Sequence, residues 1–469
     1  MTGIIGVWTD SAGDPSAITD VMLNALKHRG TIRRIELVGR RKNRTVSLGF
    51  LSHEDTSRAL VCSGDTGVAL YGSFYGRRDG SDADYILRQV EARSCGRALR
   101  KITNEIGGFA GIVAKSDGIY AFRDINGLKP LYYAASPHLT GFASERKALW
   151  RIGLKDPNPV PPGSIVSLTR KRVTVTPIVH FRRSRKKEMT FERASGTLQR
   201  YLSTAIRRIT SRTGKVGVAF SGGLDSAVTA AMAKKQGVEL QAVSVGLAGA
   251  PEVSTVEKFA AQLGLRITLE TFPADLIEEY LRRVVWLIEE PNLMKLSVAI
   301  PLHWAAMVAA RCGCKIMLCG QGSDELYGGY SKYATTLRLG GRSALTAHLY
   351  RSVVESSQVN YERDDQATSP FPVELRTPFA DPELIKFSLT IPSEFKVRDG
   401  DDATRKWVLR DVARRIGVPD DIVWRRKKAI QHGTGVEKAI LRLAKSRGLK
   451  TDEYLSKTFE EVSRLETMP

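Results

Sequence analysis

Residues 221–226 read Ser-Gly-Gly-Leu-Asp-Ser. They follow an apolar run at 216–220 that predicts a buried strand, and they precede residues 227–235, which predict a helix. A strand, a glycine turn and a helix start gather free backbone N–H groups and the positive end of a helix dipole at one point, which makes an anion site. Two adjacent glycines let the backbone approach that anion closely. No lysine follows the second glycine, so this is not the phosphate loop of a Walker-type kinase or GTPase.

The motif Ser-Gly-Gly-x-Asp-Ser resembles the pyrophosphate loop of enzymes that split ATP into AMP and pyrophosphate. The strand and helix that such a loop requires are both expected here. A second turn, Gly320-Gln321-Gly322-Ser323-Asp324-Glu325, directly follows another apolar run at 315–319. Ligands of helix-flanked parallel sheets sit beyond the strand C-termini, where both turns fall.

The elements that must carry these turns divide the chain in two. Residues 1–181 hold short alternating or apolar runs broken by glycine, at 4–8, 46–51, 68–71, 111–114, 119–123 and 165–168. They predict a layered, mostly antiparallel sheet structure with a few helices. A basic connector, Phe-Arg-Arg-Ser-Arg-Lys-Lys at 181–187, lies at the boundary, and the linker is placed at 182–195. Over 196–469, helical segments alternate with strands at 216–220, 241–246, 267–272 and 315–319, which predicts a parallel, helix-flanked α/β sheet followed by a mainly helical remainder.

Composition narrows the class. At 469 residues with 42% hydrophobic and 26% charged residues, the chain reads as a globular protein of two or three domains. The five cysteines include Cys312, Cys314 and Cys319, a spacing that fits neither a zinc pair nor a disulfide framework and points to a reducing compartment. The N-terminus lacks a basic, apolar leader and no 18-residue apolar run is expected, so a cytoplasmic chain with no membrane span is expected. The net charge of +21 raises a nucleic-acid partner, but the excess is spread along the chain and a basic solvated surface is the favoured reading.

Longer motifs are specific. GQGSDELYGGY at 320–330 and RDDQATSPFPVELRTPFAD at 363–381 join the 221–226 loop, and the first half holds HRG at 28–30, GSDAD at 80–84, GGFAGIV at 107–113, RDINGLKPLYY at 123–133 and FASERKAL at 142–149. Together they closely resemble the glutamine-dependent, class B asparagine synthetase family, over nearly the whole chain. The resemblance implies an N-terminal Ntn-hydrolase-like αββα sandwich that releases ammonia from glutamine. It implies a tunnel to an ATP-pyrophosphatase domain that adenylates a carboxylate, aspartate by default, for attack by ammonia.

The resemblance assigns residues. Ser221, Gly222, Gly223, Asp225 and Ser226 would hold pyrophosphate, and the backbone near Phe220, Val245, Cys319 and Gly320 would border ATP. Asp225 and Asp324 match magnesium-binding acids, consistent with a hard cation neutralising the leaving pyrophosphate. Lys427 falls at the family's catalytic lysine, whose ammonium offsets charge on the transferring phosphorus. Arg363 matches the arginine that clasps the amino-acid substrate, with an ion pair to Asp364 or Asp365 as the structural alternative. Small-molecule substrates, ATP and Mg2+ follow as the implied partners, and a homodimer is compatible.

Several positions depart from the family. The glutaminase cysteine that follows the initiator methionine is Thr2, whose exposed α-amine and hydroxyl remain a competent pair once Met1 is removed. The arginine of the glutamine-carboxylate clamp is replaced by Ser52, and Asn-Gly-Glu reads Tyr71-Gly72-Ser73. Gly72 and Asp82 are what remain of the glutamine site. These losses together predict a silent glutaminase and resemble the β-lactam synthetase branch. Gln321 stands where the family has a glutamate; an amide cannot accept a proton from the attacking nitrogen, which leaves Glu325 or solvent. The aspartate-binding Thr-Thr-x-Arg stretch reads Met294-Lys295-Leu296-Ser297, so an amide synthetase with another amino-acid-like substrate is the first alternative. An RNA-modifying pyrophosphate-loop enzyme and a nucleotide-binding regulator are the others.

Overall fold

The computed structural model describes every residue except 1, 10–13, 42–43, 55–58, 77–79, 116–117, 170–171, 184–187, 212, 250–252 and 427–432. The first half stacks two six-stranded sheets. Strand Thr2–Thr9 lies inside the first sheet, antiparallel to Arg44–Ser52 on one side and to Leu139–Ala143 on the other. Strands Thr66–Phe74 and Gly107–Lys115 pair in the second. Side chains alternate across each strand, so one face of both sheets supplies a shared core that includes Ile4, Leu48, Phe50, Tyr71 and Ile112. The outer faces are covered by helices: Pro15–Asn24 packs on the first sheet, and Asp82–Ala92 with Cys95–Ile102 on the second.

The second half is built on a five-stranded parallel sheet in the spatial order Ile267–Phe272, Leu240–Leu247, Val216–Ala219, Ile316–Leu318, Glu374–Arg376. The four expected strands are present, and the short edge strand Glu374–Arg376 adds a fifth. Val218 lies opposite Ala242 on one side and Leu318 on the other, so the central strand is paired on both edges. Helices cover the sheet, and the central strands Val216–Ala219 and Ile316–Leu318 are apolar throughout. The sequence order diverges from the central strand to both sides, which opens a crevice at the strand C-termini.

Two expectations are corrected here. The linker expected at 182–195 ends earlier: helix Phe191–Thr210 begins within it, capped by the Thr190 side chain accepting from the Arg193 N–H. Helix Leu293–Arg311, with mean hydropathy 1.5 over an 18-residue window, is long and apolar enough to cross a membrane, contrary to the expectation that no such run exists. Two-thirds of that window is buried, against the central helices and the sheet, and this core position accounts for its composition.

Candidate active site

The 221–226 loop leaves the central strand at its C-terminal end and enters helix Leu224–Lys235. Gly222 sits at φ 67°, a left-handed backbone that favours glycine. The Ser226 hydroxyl donates to the Gly223 carbonyl at 3.0 Å and accepts from the Ser221 N–H at 3.3 Å, fixing the turn from inside. Asp225 occupies the first helical turn and Lys234 and Lys235 the last, both favourable to the helix dipole.

The turn after Ile316–Leu318 arrives beside it. Ser323 Oγ donates to Asp225 Oδ1 at 2.7 Å. Lys406 Nζ lies 2.6 Å from Asp225 Oδ1 and 2.6 Å from Asp324 Oδ1, so one ammonium bridges the two acids. Lys406 is buried and holds a left-handed backbone at φ 54°, a conformation that costs about 1 kcal/mol for such a residue. The turn is braced by Asp402, whose carboxylate accepts from the Thr404 and Arg405 N–H groups at 2.8 Å and from Trp407 Nε1 at 2.7 Å. Sequence reasoning missed Lys406. Nothing in the linear order marks it, because it lies 181 residues from Asp225.

Both turns open on one cavity of about 490 Å³. Phe220, Ser221, Gly223, Asp225 and Ser226 line it, while Gly222 shapes the turn behind. Val245, Cys319, Gly320, Gln321 and Asp324 border it from the neighbouring strands and the second turn. Burial pushes the Cys319 thiol up to about 12, so it is no nucleophile. Lys427 lies outside the described residues. Its neighbours Arg425 and Arg426 reach the cavity, and Arg425 Nη1 donates to the Gly222 carbonyl at 3.2 Å.

Asp225 and Asp324 suit a magnesium ion. A single cation already spans them in the form of the Lys406 ammonium, and magnesium takes one or two carboxylates and fills its shell from water and phosphate oxygens. Among the described residues no group of three or more His, Cys, Asp or Glu side chains gathers to cage a metal unaided.

Helix Glu362–Thr368 forms a wall of the same cavity through Arg363 and Asp364. Arg363 is buried and donates from Nε to Asp364 Oδ1 at 2.7 Å, so of the two pairings considered from sequence the structure holds that with Asp364. Met294 and Lys295, at the start of the adjoining helix Leu293–Arg311, also line the cavity; Met294 is exposed, and Lys295 pairs with Glu290 at 2.5 Å.

The residues expected at the glutamine site lie in the first half. Thr2 opens its strand and pairs in register with Ser52. Gly72 has φ 87°, and a Cβ there would stand 2.0 Å from the Gly108 carbonyl oxygen, so its identity follows from strand packing. Asp82 Oδ2 accepts the Phe74 N–H at 2.8 Å and anchors a strand end. The Arg29 guanidinium reaches this strand start, donating to the Thr2 carbonyl at 3.2 Å. It is fully buried and also engages Glu145, the Tyr71 hydroxyl and Asp365. Lys129 Nζ joins Asp365 Oδ1 at 3.2 Å.

Comparison with known proteins agrees with this geometry. The asparagine synthase family pattern matches residues 197–343 and 338–461, and a glutamine amidotransferase domain pattern matches 69–151. A Methanocaldococcus jannaschii protein assigned as glutamine-hydrolysing asparagine synthetase 1 is 31% identical over 90% of this chain and 86% of its own. Glutamine-hydrolysing asparagine synthetase 2 of Arabidopsis thaliana is 26% identical over 76% of this chain and 63% of its own. The corresponding Saccharomyces cerevisiae synthetase 1 is 25% identical over 69% of this chain and 63% of its own.

Proposed function

This chain belongs to the asparagine synthetase family of carbon–nitrogen ligases, and from that premise we propose that it activates a carboxylate as its acyl-adenylate and closes an amide with ammonia or an amine. The observation that carries the reading is the convergence of the 221–226 loop, the Lys406-bridged pair Asp225 and Asp324, and Arg363 on one cavity.

The loop N–H groups receive the β- and γ-phosphates, and Lys406 with Arg425 offsets their charge as pyrophosphate departs. Asp225 and Asp324 would hold Mg2+, which supplies Lewis-acid neutralisation of the same phosphates. The resemblance would give Lys427 the role of offsetting charge on the transferring phosphorus. Arg363 orients the acyl substrate, and Asp364 fixes the guanidinium plane until a substrate carboxylate competes for it.

The glutaminase half is read as silent. The clamp position is Ser52, the amide-contact position is Tyr71, and Arg29 is committed to buried partners. Nitrogen then comes from free ammonium or an amine. Aspartate is the default acyl substrate; the exposed Met294 and the occupied Lys295 favour a different amino-acid-like acid as the second reading. The likeness to asparagine synthetases leaves the RNA-modifying alternative without support.

Pyrophosphate release from Mg-ATP, measured with aspartate and the other amino acids and with ammonium or glutamine, tests this. The expected result is carboxylate-dependent release that ammonium sustains and glutamine does not. Glutamine hydrolysis abolished by Thr2→Ala would overturn the silent-glutaminase reading, and release that depends on no carboxylate would overturn the ligase reading.

A further inference from the structure

Glu325 closes the Gly320–Glu325 turn, and its side chain borders the same cavity as Gln321, Asn360 and Arg363. It is 5% exposed. Its Oε1 accepts from Asn360 Nδ2 at 2.8 Å and from the Tyr330 hydroxyl at 3.0 Å. Its Oε2 is buried and has no hydrogen-bond partner among the described residues. A buried carboxylate oxygen left without a donor is costly, so such an atom in a ligand cavity marks a place for a donor the ligand brings.

Two cations of the cavity are already paired with other acids. Lys406 is held by Asp225 and Asp324, and Arg363 by Asp364. Glu325 Oε2 is thus a buried carboxylate oxygen of this cavity with room to accept an incoming N–H group. The position four residues earlier, Gln321, carries an amide that cannot take a proton.

We propose that Glu325 Oε2 seats the nitrogen nucleophile, as ammonia or a primary amine, and receives its proton as the amide forms. The inference rests on the adenylating reading above. The nitrogen lone pair attacks the acyl carbon and forms the C–N bond. The C–O bond to AMP breaks, and its electron pair leaves with the AMP phosphate. The N–H bond of the cationic nitrogen then gives its electrons back to nitrogen and its proton to Oε2, so neutral amide, AMP and protonated Glu325 result; the proton passes to solvent on product release. Two donors on Oε1 hold the other oxygen in place while this happens.

The two half-reactions separate the roles. Substrate-dependent ATP–pyrophosphate exchange reads adenylation alone, and ammonium-dependent amide formation reads the second step. Glu325→Gln is expected to keep exchange within about threefold while amide formation falls by about 100-fold or more. Adding Gln321→Glu returns a carboxylate to the turn and is expected to recover at least about tenfold. Amide formation at the unmutated rate in Glu325→Gln overturns the proposal, as does equal loss of exchange and amide formation. Absence of exchange in the unmutated chain with every amino acid tried overturns the adenylation reading and this inference with it, whereas exchange that the variant leaves coupled to amide formation overturns this inference alone.

Discussion

The hydroxyl of Tyr71 donates a 2.6 Å hydrogen bond to Oδ1 of Asp365, joining the first half of the chain to the second. Tyr71 stands at the position expected to contact the glutamine amide, and Asp365 lies on the helix Glu362–Thr368 that walls the cavity beside the 221–226 loop. That helix has two faces. Glu362 accepts from Arg123 and Tyr132, Asp365 from Arg29, Tyr71 and Lys129, and Gln366 donates to Glu289. Arg363 and Asp364 turn to the cavity instead. The spacing 362, 365, 366 is that of one helical face. Side chains of the first half, Tyr71 among them, thus hold the helix that walls the cavity of the second.

Tyr71→Phe removes one donor from a buried carboxylate and is expected to cost about 1–3 kcal/mol of stability. Because Asp365 is next to Asp364, we expect the KM for the acyl substrate to rise while the KM for Mg-ATP stays within twofold or so. Urea unfolding and pyrophosphate-release kinetics check both parts. An unchanged unfolding midpoint would show that the bond carries no stability.

Lys406→Met leaves Asp225 and Asp324 facing each other without their shared cation. Breaking a buried ion pair from one side costs about 3–5 kcal/mol, and pyrophosphate release is expected to fall by about 100-fold or more. Lys406→Arg should recover little of this, because a planar fork does not fit a gap shaped for a point charge. Steady-state kinetics with thermal melts of both variants give the answer.

Gly222→Ala places a Cβ at φ 67°, 3.1 Å from the Phe259 ring. Left-handed alanine costs about 1–2 kcal/mol, and a loop that relaxes away from this angle re-aims its N–H groups. The expected outcome is a small fall in melting temperature and a rise of at least about tenfold in the KM for Mg-ATP. Normal ATP affinity in the variant would detach Gly222 from phosphate binding.

Burial lowers the His303 imidazole from 6.5 to about 4; its Nδ1 is hydrogen-bonded to the Ala367 carbonyl at 2.8 Å. Between these values the unfolded chain binds a proton that the folded chain refuses. Stability therefore falls as pH drops from about 6.5 toward 4, by up to about 1.4 kcal/mol per pH unit from this group. Asp124, raised to about 6 by burial, acts in the opposite direction over part of that window. Comparing urea unfolding of the unmutated chain and His303→Asn from pH 7.5 to 5 cancels that shared contribution, and the variant is expected to show the shallower loss.

The chain order alone determined the two-part architecture, four of the five parallel strands and the loop at 221–226, because apolar runs, glycine pairs and helix starts are local and the 221–226 motif is contiguous. Motifs at two strand ends put Asp225 and Asp324 beside one crevice, and the family resemblance added Arg363; all three line one cavity. The edge strand Glu374–Arg376 escaped because three residues carry no period and its pairing with Ile316–Leu318 is supplied by the sheet. Lys406 and the Tyr71–Asp365 bond were decided only by tertiary structure. Lone charged or phenolic side chains carry no local signal, and their meaning comes from which buried partner, hundreds of residues away, folding brings within hydrogen-bond reach.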